Sequence, residues 1–460
     1  MNTDRRDAER RTQAPDPRPR VAVLTTVHKS DDARIFHKEC RTLAEVGFEV
    51  TLFAQDAREE GSRDRGIKGS SEEIRHSISL SLYPSVPPSP RLSRLPVPRN
   101  RWLRIVLSTP LAVAAAIRSR SRTCHLHDPE LLPAGLALKA LGRQVVYDVH
   151  EDYPEQILSK HYLPGWLRFA LSRWFGAFEK WSARRFDAVV CATETIAGKF
   201  QRAYTVVVRN YPILNAKSGL AVGVSSLRHL TTRPLGHSPV PFRLCHFSGT
   251  LTHERGVTAM VWAMDELGDR FELLLAGRFV TPEYEQMVRN LPGFRHVRYL
   301  GYVPHEETPA WYAQCDAGLV CLLPLKRYQE SLPVKLFEYM AAGLPVVASN
   351  FPGFRRIVED SGCGVCVNPE NPIDIAWAVR RLAADEPARR QMATAGVRAV
   401  REQYNWQPEG ARLVETYRRL AVKGSRLAAY GSQPQAKIQN PESKIPGLAV
   451  EEGDVGWQTS

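Results

Sequence analysis

Two glutamates, Glu330 and Glu338, flank a predicted helix start in the segment that says most about chemistry. Pro333 has a fixed φ and no amide donor, which suits the first position of a helix. The amides that follow, including those of Val334 and Lys335, have no partner within the helix, and the helix dipole is positive at this end. Such a helix end favours an anion, for example a diphosphate.

Glu338 lies five residues beyond Pro333, which is about 7 Å further along the helix axis. One carboxylate therefore precedes the anion site and the other lies beyond it. A nucleotide-activated sugar has the same order of parts: a ring rich in hydroxyls, two phosphates, and ribose hydroxyls that donate to a carboxylate. Two glutamates at this spacing often only solvate a helix face. The helix start at Pro333, the glycine at the helix end, Gly343, and the apolar run after it favour the functional interpretation.

This stretch resembles the donor-site signature of retaining GT-B glycosyltransferases, the family called "glycosyl transferases group 1". The matching residues are Glu330-Ser-Leu-Pro-Val-Lys-Leu-Phe-Glu338 and, one residue later, Met-Ala-Ala-Gly-Leu-Pro-Val-Val-Ala-Ser. The resemblance covers roughly Arg20 to Leu420. It implies an α/β fold, GT-B, in which two Rossmann-like domains face each other across a cleft. It also implies a nucleotide-sugar donor as substrate, no cofactor and no metal.

Further residues of the second half match the donor site of that family. The resemblance assigns Gly249 to a phosphate-binding loop, Arg255 to a phosphate-binding cation and Gly301 to the neighbourhood of the nucleotide base. The family often has an arginine where this chain has Thr250, so one expected cation is missing. Lys335 could replace it, or could be a solvated surface charge. For Gly301, a tight turn is an equally good explanation.

Several residues of the first half are predicted to line the other side of the cleft. His127 follows a strand-like segment and matches the family's histidine near the reacting sugar. A histidine hydrogen-bonded within the core is the competing interpretation. His28, His150 and Glu151 lie at predicted strand ends, so we place them on the acceptor side, although hydrogen bonding within the loops would also explain them.

The resemblance implies a mechanism and a role for each of these residues. Transfer occurs with retention at the anomeric carbon, by front-side attack in which the departing diphosphate takes the acceptor proton. Glu330 would hold the hydroxyls of the donor sugar, and Glu338 would hold the ribose. Arg255 and the amides after Pro333 would stabilise the diphosphate. His127 would position the sugar or the attacking hydroxyl.

The composition is globular, and the chain is too long for one ordinary core: 460 residues, of which 43% are hydrophobic and 24% charged. Met1 to Arg20 is rich in Arg, Asp and Pro without an apolar core, which predicts a disordered tail rather than a signal peptide, and hence a cytoplasmic protein. The best candidate for a membrane span, Ile105 to Ile117, contains Pro110 and is shorter than the roughly 20 residues required.

The net charge of +13 at pH 7 is unevenly distributed. Basic residues bracket the apolar segment from Trp102 to Ile117, and they share the stretch from Lys160 to Arg185 with tryptophans and phenylalanines. Basic amphipathic segments with aromatics suit a membrane surface, which would make the protein peripheral on the inner face of the membrane. Ordinary surface helices, with aromatics toward the core and arginines toward water, explain them equally well. The basic residues form no recognisable nucleic-acid motif, and we expect no such partner.

The eight cysteines are scattered among strand-like apolar residues, which is typical of buried reduced thiols rather than a disulfide framework. Cys363 and Cys366 have the spacing of a metal or redox pair but lack a second pair, so we interpret them as structural. Asp31 and Asp32 could suggest a divalent metal, but aspartate before a helix is more often a cap. We predict no metal site.

Alternating strand and helix patterns predict two domains with parallel sheets. Strands are expected near residues 21–24, 50–53, 145–147, 188–192, 243–246, 271–275, 297–300, 318–322 and 346–348, with helices at 33–46, 131–141 and 166–184 and a loop or insertion at 56–100. The predicted organisation is a disordered tail (1–19), an N-terminal Rossmann-like acceptor domain (20–209), an interdomain linker (210–241), a C-terminal Rossmann-like donor-binding domain (242–403), a helix that the resemblance implies crosses back to the first domain (404–421), and a disordered tail (422–460).

One main hypothesis and two alternatives follow. The main hypothesis is a hexosyl-type glycosyltransferase, metal-independent and retaining, that transfers a sugar from a nucleotide sugar to a lipid-linked or polysaccharide acceptor. A nucleotide-sugar 2-epimerase of GT-B fold would share the cleft but need no acceptor. A basic nucleic-acid-binding or membrane-binding protein without catalysis would use the net charge alone.

Overall fold

A parallel sheet forms the core of the N-terminal half. The structure, a computed structural model, describes residues 18–55, 89–96, 98, 101–160, 163–214 and 241–424. Within those residues the sheet has the strand order β3-β2-β1-β4-β5-β6-β7. Its strands are β1 Arg20–Lys29, β2 Glu49–Gln55, β3 Arg91–Arg94, β4 Thr123–Leu126, β5 Gln144–Val149, β6 Ala188–Cys191 and β7 Thr205–Val207.

Helices connect these strands on both faces of the sheet. They are a π-helical turn, Ile35–Cys40, followed by α1 Arg41–Glu45, α2 Arg101–Arg118, α3 Leu132–Ala140, α4 Tyr153–Leu158, α5 Gly165–Ala183 and α6 Glu194–Ala197.

The C-terminal half has a second parallel sheet, with the strand order β10-β9-β8-β11-β12-β13. Its strands are β8 Phe242–Leu251, β9 Phe271–Phe279, β10 Val297–Gly301, β11 Ala317–Val320, β12 Val346–Ser349 and β13 Gly364–Val367. Its helices are α7 Val257–Leu267, α8 Pro282–Arg289, α9 Thr308–Tyr312, α10 Lys326–Gln329, α11 Val334–Ala341, α12 Pro352–Ser361, α13 Pro372–Ala384 and α14 Glu386–Glu402, and the last helix of the described chain is α15 Trp406–Gly424.

Both sheets are covered on both faces, which explains why their central strands are continuous apolar runs. Residues 21–24 in β1 and 346–348 in β12 are fully buried. The strand order reverses beside β1 in one sheet and beside β8 in the other. Ligands of such sheets bind in the crevice outside the carboxyl ends of the strands at this reversal. The loops after β1, β4, β8 and β11 are therefore the places where a site is expected.

Helix α15 packs against the first sheet rather than the second. Leu413 and Tyr417 belong to the same buried cluster as Val21 and Val50. At the start of the helix, the Trp406 indole donates a hydrogen bond of 2.8 Å to the Thr42 hydroxyl in α1. The end of the chain thus closes the core of the first half.

The predicted fold class, two Rossmann-like domains, is confirmed. Two details differ from expectation. The interval 56–100, predicted as a loop or insertion, contains strand β3, which pairs in parallel with β2 through its backbone although its own sequence has no apolar pattern. The helix predicted for 33–46 begins as a π-helical turn, because the backbone amide of Glu39 bonds to the carbonyl of Arg34, five residues earlier, at 3.0 Å.

Several predictions fall on other parts of the chain. Residues 1–17 and 425–460 of the two predicted tails and residues 215–240 of the predicted linker lie outside the described residues. The same holds for residues 56–88 of the predicted insertion. Among the helices that are described, including the one that contains Pro110, none combines the length and apolar character required to traverse a bilayer.

Gly256, between the turn after β8 and helix α7, is predicted to be intolerant of a side chain. Its φ is +78°, and a Cβ at this position would lie 1.8 Å from the carbonyl oxygen of Cys321. Gly256→Ala should therefore lower the free energy of unfolding by roughly 3 kcal/mol or more.

Urea denaturation measures this change, and Gly198→Ala is the matched control. Gly198 has φ −59° and no atom within 4 Å of an added Cβ. The free energy of unfolding of Gly198→Ala should therefore differ from that of the unaltered protein by less than about 1 kcal/mol. Equal stability of the two variants would contradict the close packing at Gly256.

Candidate functional site

Helix α11 begins with an open amino end. Pro333 precedes it with extended backbone (φ −70°, ψ 120°), and no side chain caps the helix. Val334 and Lys335 form its first turn, and both are half-buried. Because the first amides of a helix have no intrahelical acceptor, this end carries partial positive charge toward any ligand in the adjoining crevice.

The two predicted carboxylates lie on either side of this helix end. Glu330 terminates α10 and is half-buried. Glu338 lies inside α11 and is almost fully buried. The Tyr312 hydroxyl donates a hydrogen bond of 3.2 Å to Glu338 Oε2, and His305 Nδ1 lies 3.7 Å from Glu338 Oε1. The Glu338 carboxylate is therefore held in one orientation before any ligand arrives.

Two cations converge on the same region. The Lys335 ammonium is buried, and its Nζ has no hydrogen-bond partner among the described residues. Burial and, to a smaller extent, the neighbouring Arg255 cation together lower the pKa of Lys335 to about 7, while Glu338 opposes this shift. Arg255 itself donates to the Ser248 hydroxyl at 2.9 Å. A buried ammonium without an acceptor, next to a second cation, is an arrangement that an anion would satisfy.

The two predicted glycines lie at strand ends. Gly249 lies within β8, which continues to Leu251 beyond the predicted strand end, with a register shift between Phe247 and Thr250. Gly249 is exposed and has open space at its Cβ position. Gly301 ends β10 with φ +67°, a conformation that favours glycine.

An aromatic side chain follows Gly301. The ring of Tyr302 is 54% exposed, and the Arg278 guanidinium lies 4.7 Å from its centroid. Stacking on an exposed tyrosine ring is a common mode of base recognition.

The predicted histidines form a stack at the carboxyl ends of β4 and β5. His127 is fully buried, and its Nδ1 lies 3.1 Å from His150 Nε2. The two rings are nearly parallel, with centroids 5.2 Å apart. His127 Nε2 lies 3.6 Å from a carboxyl oxygen of Glu39. Both nitrogens of His127 therefore face protein groups, and the partly exposed ring above it is that of His150.

A charged layer beneath the histidines was not predicted from the sequence. Arg34 Nη2 donates to both carboxylate oxygens of Asp148, at 3.1 and 3.2 Å. Arg34 Nε lies 2.9 Å from Glu39 Oε1. The Tyr417 hydroxyl lies 2.9 Å from His125 Nδ1. All of these side chains are buried. The detectable signal was the presence of Arg34 and Glu39 within an otherwise core-facing helix pattern.

Burial and neighbouring charges set the ionisation of this cluster. Burial lowers the pKa of His150 and of His125 to about 4, although Asp148 opposes the shift. Burial also raises the pKa of Glu39, and the negative charge of Asp148 adds to that increase. His125 and His150 are therefore neutral at physiological pH, and the protonated form of Glu39 is favoured more than in an exposed carboxyl group.

The same cluster has the donor types of a cation site. One donor atom from each of Glu39, His125, His127 and Asp148 lies within 4.8 Å of the others. Arg34 already places its guanidinium against both carboxyl groups. Because that guanidinium supplies positive charge at the two acidic groups, the cluster does not require an added cation. The prediction that the protein works without a metal stays a prediction.

His28 and Glu151 lie at the edge of the histidine stack. His28 Nδ1 lies 3.1 Å from Asp32, and its Nε2 lies 3.7 Å from Asp128. Burial disfavours the charged form of His28, but the Asp32 hydrogen bond and the charges of Asp128, Asp32 and Glu151 outweigh it and raise the pKa. Asp32 also accepts bonds from backbone amides that follow it, as expected of a cap. Glu151 is exposed and accepts a bond from the Gln156 amide.

Of the predicted residues, Arg255, Lys335 and Glu338 lie near one another in a donor-side group. His28, His127, His150 and Glu151 lie near one another in a histidine group.

An ion pair between the two halves and a buried lysine of the first half lie in the surroundings of these groups. Lys326, four residues before Glu330, forms an ion pair with Glu155 in α4. Lys38, in the π-helical turn, donates to Asn210 Oδ1 at 2.6 Å. Burial lowers the pKa of Lys38 to about 7, and the Glu338 carboxylate opposes that shift.

Comparison with known proteins gives matches over both halves. Residues 238–398 match the family described as Glycosyl transferases group 1. Residues 33–213 match the family described as Glycosyl transferase 4-like domain. The two matched regions contain the donor-side group and the histidine group, apart from His28, which precedes the second of them.

Three curated relatives illustrate the range of similarity. An uncharacterized glycosyltransferase of Methanocaldococcus jannaschii is 30% identical over 37% of this chain and 44% of its own length. The glycogen synthase of Mycobacterium tuberculosis is 24% identical over 69% of this chain and 78% of its own length. The phosphatidyl-myo-inositol mannosyltransferase of Mycobacterium leprae is 32% identical over 35% of this chain and 41% of its own length. The chain thus spans less than half the length of two of these three relatives.

Two solved structures share the fold. The sucrose-phosphate synthase of Thermosynechococcus elongatus has a TM-score of 0.63 at 19% identity and covers 88% of this chain and 100% of its own. HepE of Anabaena, in complex with UDP, has a TM-score of 0.59 at 16% identity and covers 87% of this chain and 100% of its own. At these identities the likeness concerns the fold alone.

Anion binding at Lys335 should depend on pH. Sulfate keeps a constant charge between pH 6 and 8, while Lys335, with a pKa of about 7, loses its proton in this interval. An anion binds the protonated lysine more tightly, so the dissociation constant for sulfate should rise by about tenfold from pH 6 to pH 8.

Sulfate titrations followed by tryptophan fluorescence measure this dependence. Lys335→Met should bind sulfate weakly and with little pH dependence. Lys180→Met, which removes an exposed lysine of α5, should behave like the unaltered protein. A pH dependence that persists in Lys335→Met would rule out Lys335 as its source.

Proposed function

This chain belongs to the glycosyl transferases group 1 family of GT-B glycosyltransferases, and we propose that it is a retaining, metal-independent and cofactor-free enzyme that transfers a hexosyl-type sugar from a nucleotide sugar to a lipid-linked or polysaccharide acceptor. The observation that carries the donor side of this proposal is the buried Lys335 ammonium. It lacks a partner among the described residues and lies beside Arg255 and an uncapped helix end.

The donor would lie along helix α11 in the order of its own parts. Glu338, oriented by Tyr312, accepts hydrogen bonds from the ribose. The diphosphate lies at the start of the helix, where Lys335, Arg255 and the first amides neutralise it. Glu330, before the helix, accepts hydrogen bonds from the sugar hydroxyls. The exposed ring of Tyr302 offers a surface for the base.

The same contacts serve the chemical step. As the bond between the sugar and the diphosphate breaks, negative charge grows on the leaving diphosphate. Cations and amide dipoles that are already in place stabilise that charge more strongly than the ground state. In front-side attack the acceptor hydroxyl gives its proton to the departing diphosphate, so the mechanism needs no strong protein base. The product then keeps the anomeric configuration of the donor.

The acceptor side is predicted from an unusual surface on helix α5. Trp166, Phe169 and Trp174 are 74, 65 and 65% exposed, and Trp181 is also exposed. The sequence allowed two interpretations of this segment, a membrane surface or an ordinary surface helix with its aromatics in the core. These four exposed side chains do not fit the second interpretation. Contiguous exposed aromatics of this size mark an interaction surface.

Basic residues lie among these aromatics, on the outward face of α5. Arg173 and Lys180 are exposed there, and Arg184 is exposed directly after the helix. The inward face contains buried polar residues, among them Glu179, which accepts a hydrogen bond of 2.8 Å from the Tyr147 hydroxyl. Aromatic rings interleaved with cations suit the interface of an anionic bilayer. We therefore assign this face to the cytoplasmic surface of a membrane, where a lipid-linked acceptor is presented.

Helix α5 also connects that face to the cleft. The Ser172 hydroxyl donates to the Pro154 carbonyl in α4 at 2.9 Å, and α4 begins directly after the segment that contains His150 and Glu151. An acceptor anchored at α5 would therefore present its sugar near the histidine stack. The relative from Mycobacterium leprae is named for a lipid acceptor, which supports this class of substrate.

Glu330→Gln should lower kcat for transfer by roughly 100-fold, because the sugar loses the carboxylate that orients it. The melting temperature and the affinity for the nucleoside diphosphate should change little, since Glu330 is half-buried and lies outside the diphosphate contacts. A screen of nucleotide sugars by thermal shift first identifies the donor. Product analysis by NMR then gives the rate and the anomeric configuration.

The matched control is Glu359→Gln, which alters an exposed glutamate on α12 and should leave kcat unchanged. Full activity of Glu330→Gln would contradict the assignment of Glu330 to orienting the donor sugar. Release of an epimerised nucleotide sugar without any acceptor would instead favour the epimerase alternative.

A triple variant, Trp166→Ser with Phe169→Ser and Trp174→Ser, should bind phosphatidylglycerol vesicles about tenfold more weakly or worse, because the apolar area available for burial in the bilayer is lost. Vesicle flotation measures the binding, with neutral phosphatidylcholine vesicles as the comparison.

Trp377→Ser is the control for this experiment. Trp377 is 51% exposed on α13 in the second half, so its removal should not alter vesicle binding. If the unaltered protein does not float with anionic vesicles, or if it binds RNA in preference to them, the membrane assignment is wrong.

A further inference from the structure

A cavity of about 650 Å³ lies between strands β2 and β3 and the end of helix α2. The first residues of three strands, Arg20, Glu49 and Arg91, line it, so it opens at the amino edge of the first sheet. The proposed donor and acceptor sites lie at the carboxyl ends of the strands. The basic residues that bracket α2 in the sequence thus meet at a place that the proposed transfer does not use.

The charges around this cavity are unequal. Among the described residues that line it, Glu49 is the one acidic group, and its carboxylate already contacts two cations. Glu49 Oε2 lies 2.9 Å from Arg20 Nε, and Oε1 lies 2.9 Å from Arg91 Nη1. A guanidinium keeps its charge at every physiological pH, so one carboxylate does not balance the lining. The arginines that line the cavity are Arg20, Arg91, Arg94, Arg118 and Arg120.

Two of these arginines have donors that no protein group uses. Within the part of the chain that the structure describes, no hydrogen bond or ion pair engages the side chain of Arg118 or Arg120. Arg118 is the last residue of α2, and Arg120 lies in the turn that follows. Both residues are exposed. Their guanidinium groups are therefore available to an anion that enters the cavity.

Arg120 also has an unfavourable backbone conformation. Its φ is +53°, and among the described residues it is the one residue other than glycine with a positive φ. The left-handed region is disfavoured for residues with a Cβ, whereas glycine adopts it readily. Such conformations concentrate at binding and catalytic sites, where the placement of a side chain compensates for the strain. The strained residue here is one that places a cation at the cavity.

We propose that this cavity binds the phosphate group of a phosphate ester that is distinct from the sugar donor. A guanidinium donates two parallel hydrogen bonds to a phosphate, and the hydroxyls of Thr51 and Ser93 in the lining can also donate. The volume lies within the range of small-molecule sites, about 300 to 1,000 Å³, which leaves room for an organic group beside the phosphate. The buried side chains of Phe53 and Leu95 form an apolar wall for that group.

The ligand can come from solution or from a bilayer. A soluble phosphate ester and a lipid headgroup share the chemistry that the arginines recognise. Two substitutions test this recognition in both cases. Arg120→Gly removes a guanidinium and relieves the left-handed backbone, so the loss of affinity should come with an equal or higher melting temperature. Arg118→Lys keeps the charge but removes the planar pair of donors.

Titration calorimetry with glycerol 3-phosphate at pH 8 tests the soluble form. Lys335→Met serves as the background, so that the anion site beside Arg255 contributes little. In this background the dissociation constant should rise about tenfold in Arg120→Gly and about threefold or more in Arg118→Lys. Arg356→Met, which alters an exposed arginine on α12, is the control and should bind like the background protein.

Flotation with phosphatidylcholine vesicles that contain phosphatidic acid tests the lipid form, with the same variants. If glycerol 3-phosphate does not bind, a loss of vesicle binding in Arg120→Gly and Arg118→Lys but not in Arg356→Met would support the proposal and identify a headgroup as the ligand. Unchanged binding of both probes in Arg120→Gly and Arg118→Lys would overturn the proposal, and so would an absence of binding to either probe. Neither readout requires sugar transfer, so failure of this proposal and failure of the proposed function are distinguishable.

Discussion

The site depends on one unbalanced electrostatic arrangement: the buried Lys335 ammonium, beside Arg255, without an acceptor among the described residues. A buried cation without a partner destabilises the folded protein, and here the protein lowers that cost by moving the pKa of the lysine toward neutrality rather than by adding a counterion. Glu338 is the nearby acidic group, but Tyr312 already holds its carboxylate. In the proposed function, an anionic ligand meets this unmet requirement for negative charge.

The two halves differ in whether their buried charges have partners of opposite charge. The second half keeps positive charge uncompensated at the start of helix α11, which suits a leaving group that becomes more negative. The first half compensates its charges internally, since Arg34 contacts both Asp148 and Glu39 and the His150 ring above them is neutral. A sugar between the two halves would meet positive charge on the side of its phosphate and the neutral ring of His150 on the other. This difference between the halves arises because Arg34 contacts acidic groups in the first half, whereas the Lys335 ammonium of the second half has no hydrogen-bond partner among the described residues.

The start of helix α11 and the positions of Glu330 and Glu338 relative to it were largely predictable from sequence because the information is local, and their role in donor binding stays a prediction. A proline, two glutamates and a glycine within one strand-loop-helix-strand unit specify their own geometry. The histidine side was not predictable to the same degree. Its key neighbours, Arg34 and Glu39, lie on a π-helical turn, where a spacing of five residues replaces the helical repeat, so that a pattern based on the α-helix does not bring them together. The environment of the outward aromatics of α5 could not be predicted for a different reason. Periodicity identifies a face of a helix without identifying what covers that face.

The last helix, α15, also reaches the histidine cluster. Tyr417 in α15 lies 2.9 Å from His125 Nδ1, and His125 Nε2 lies 3.7 Å from Asp148 Oδ2. A residue near the end of the described chain thus contacts a buried histidine of the first half. The return of the chain to the first half is therefore part of the electrostatics of the cleft as well as of its packing.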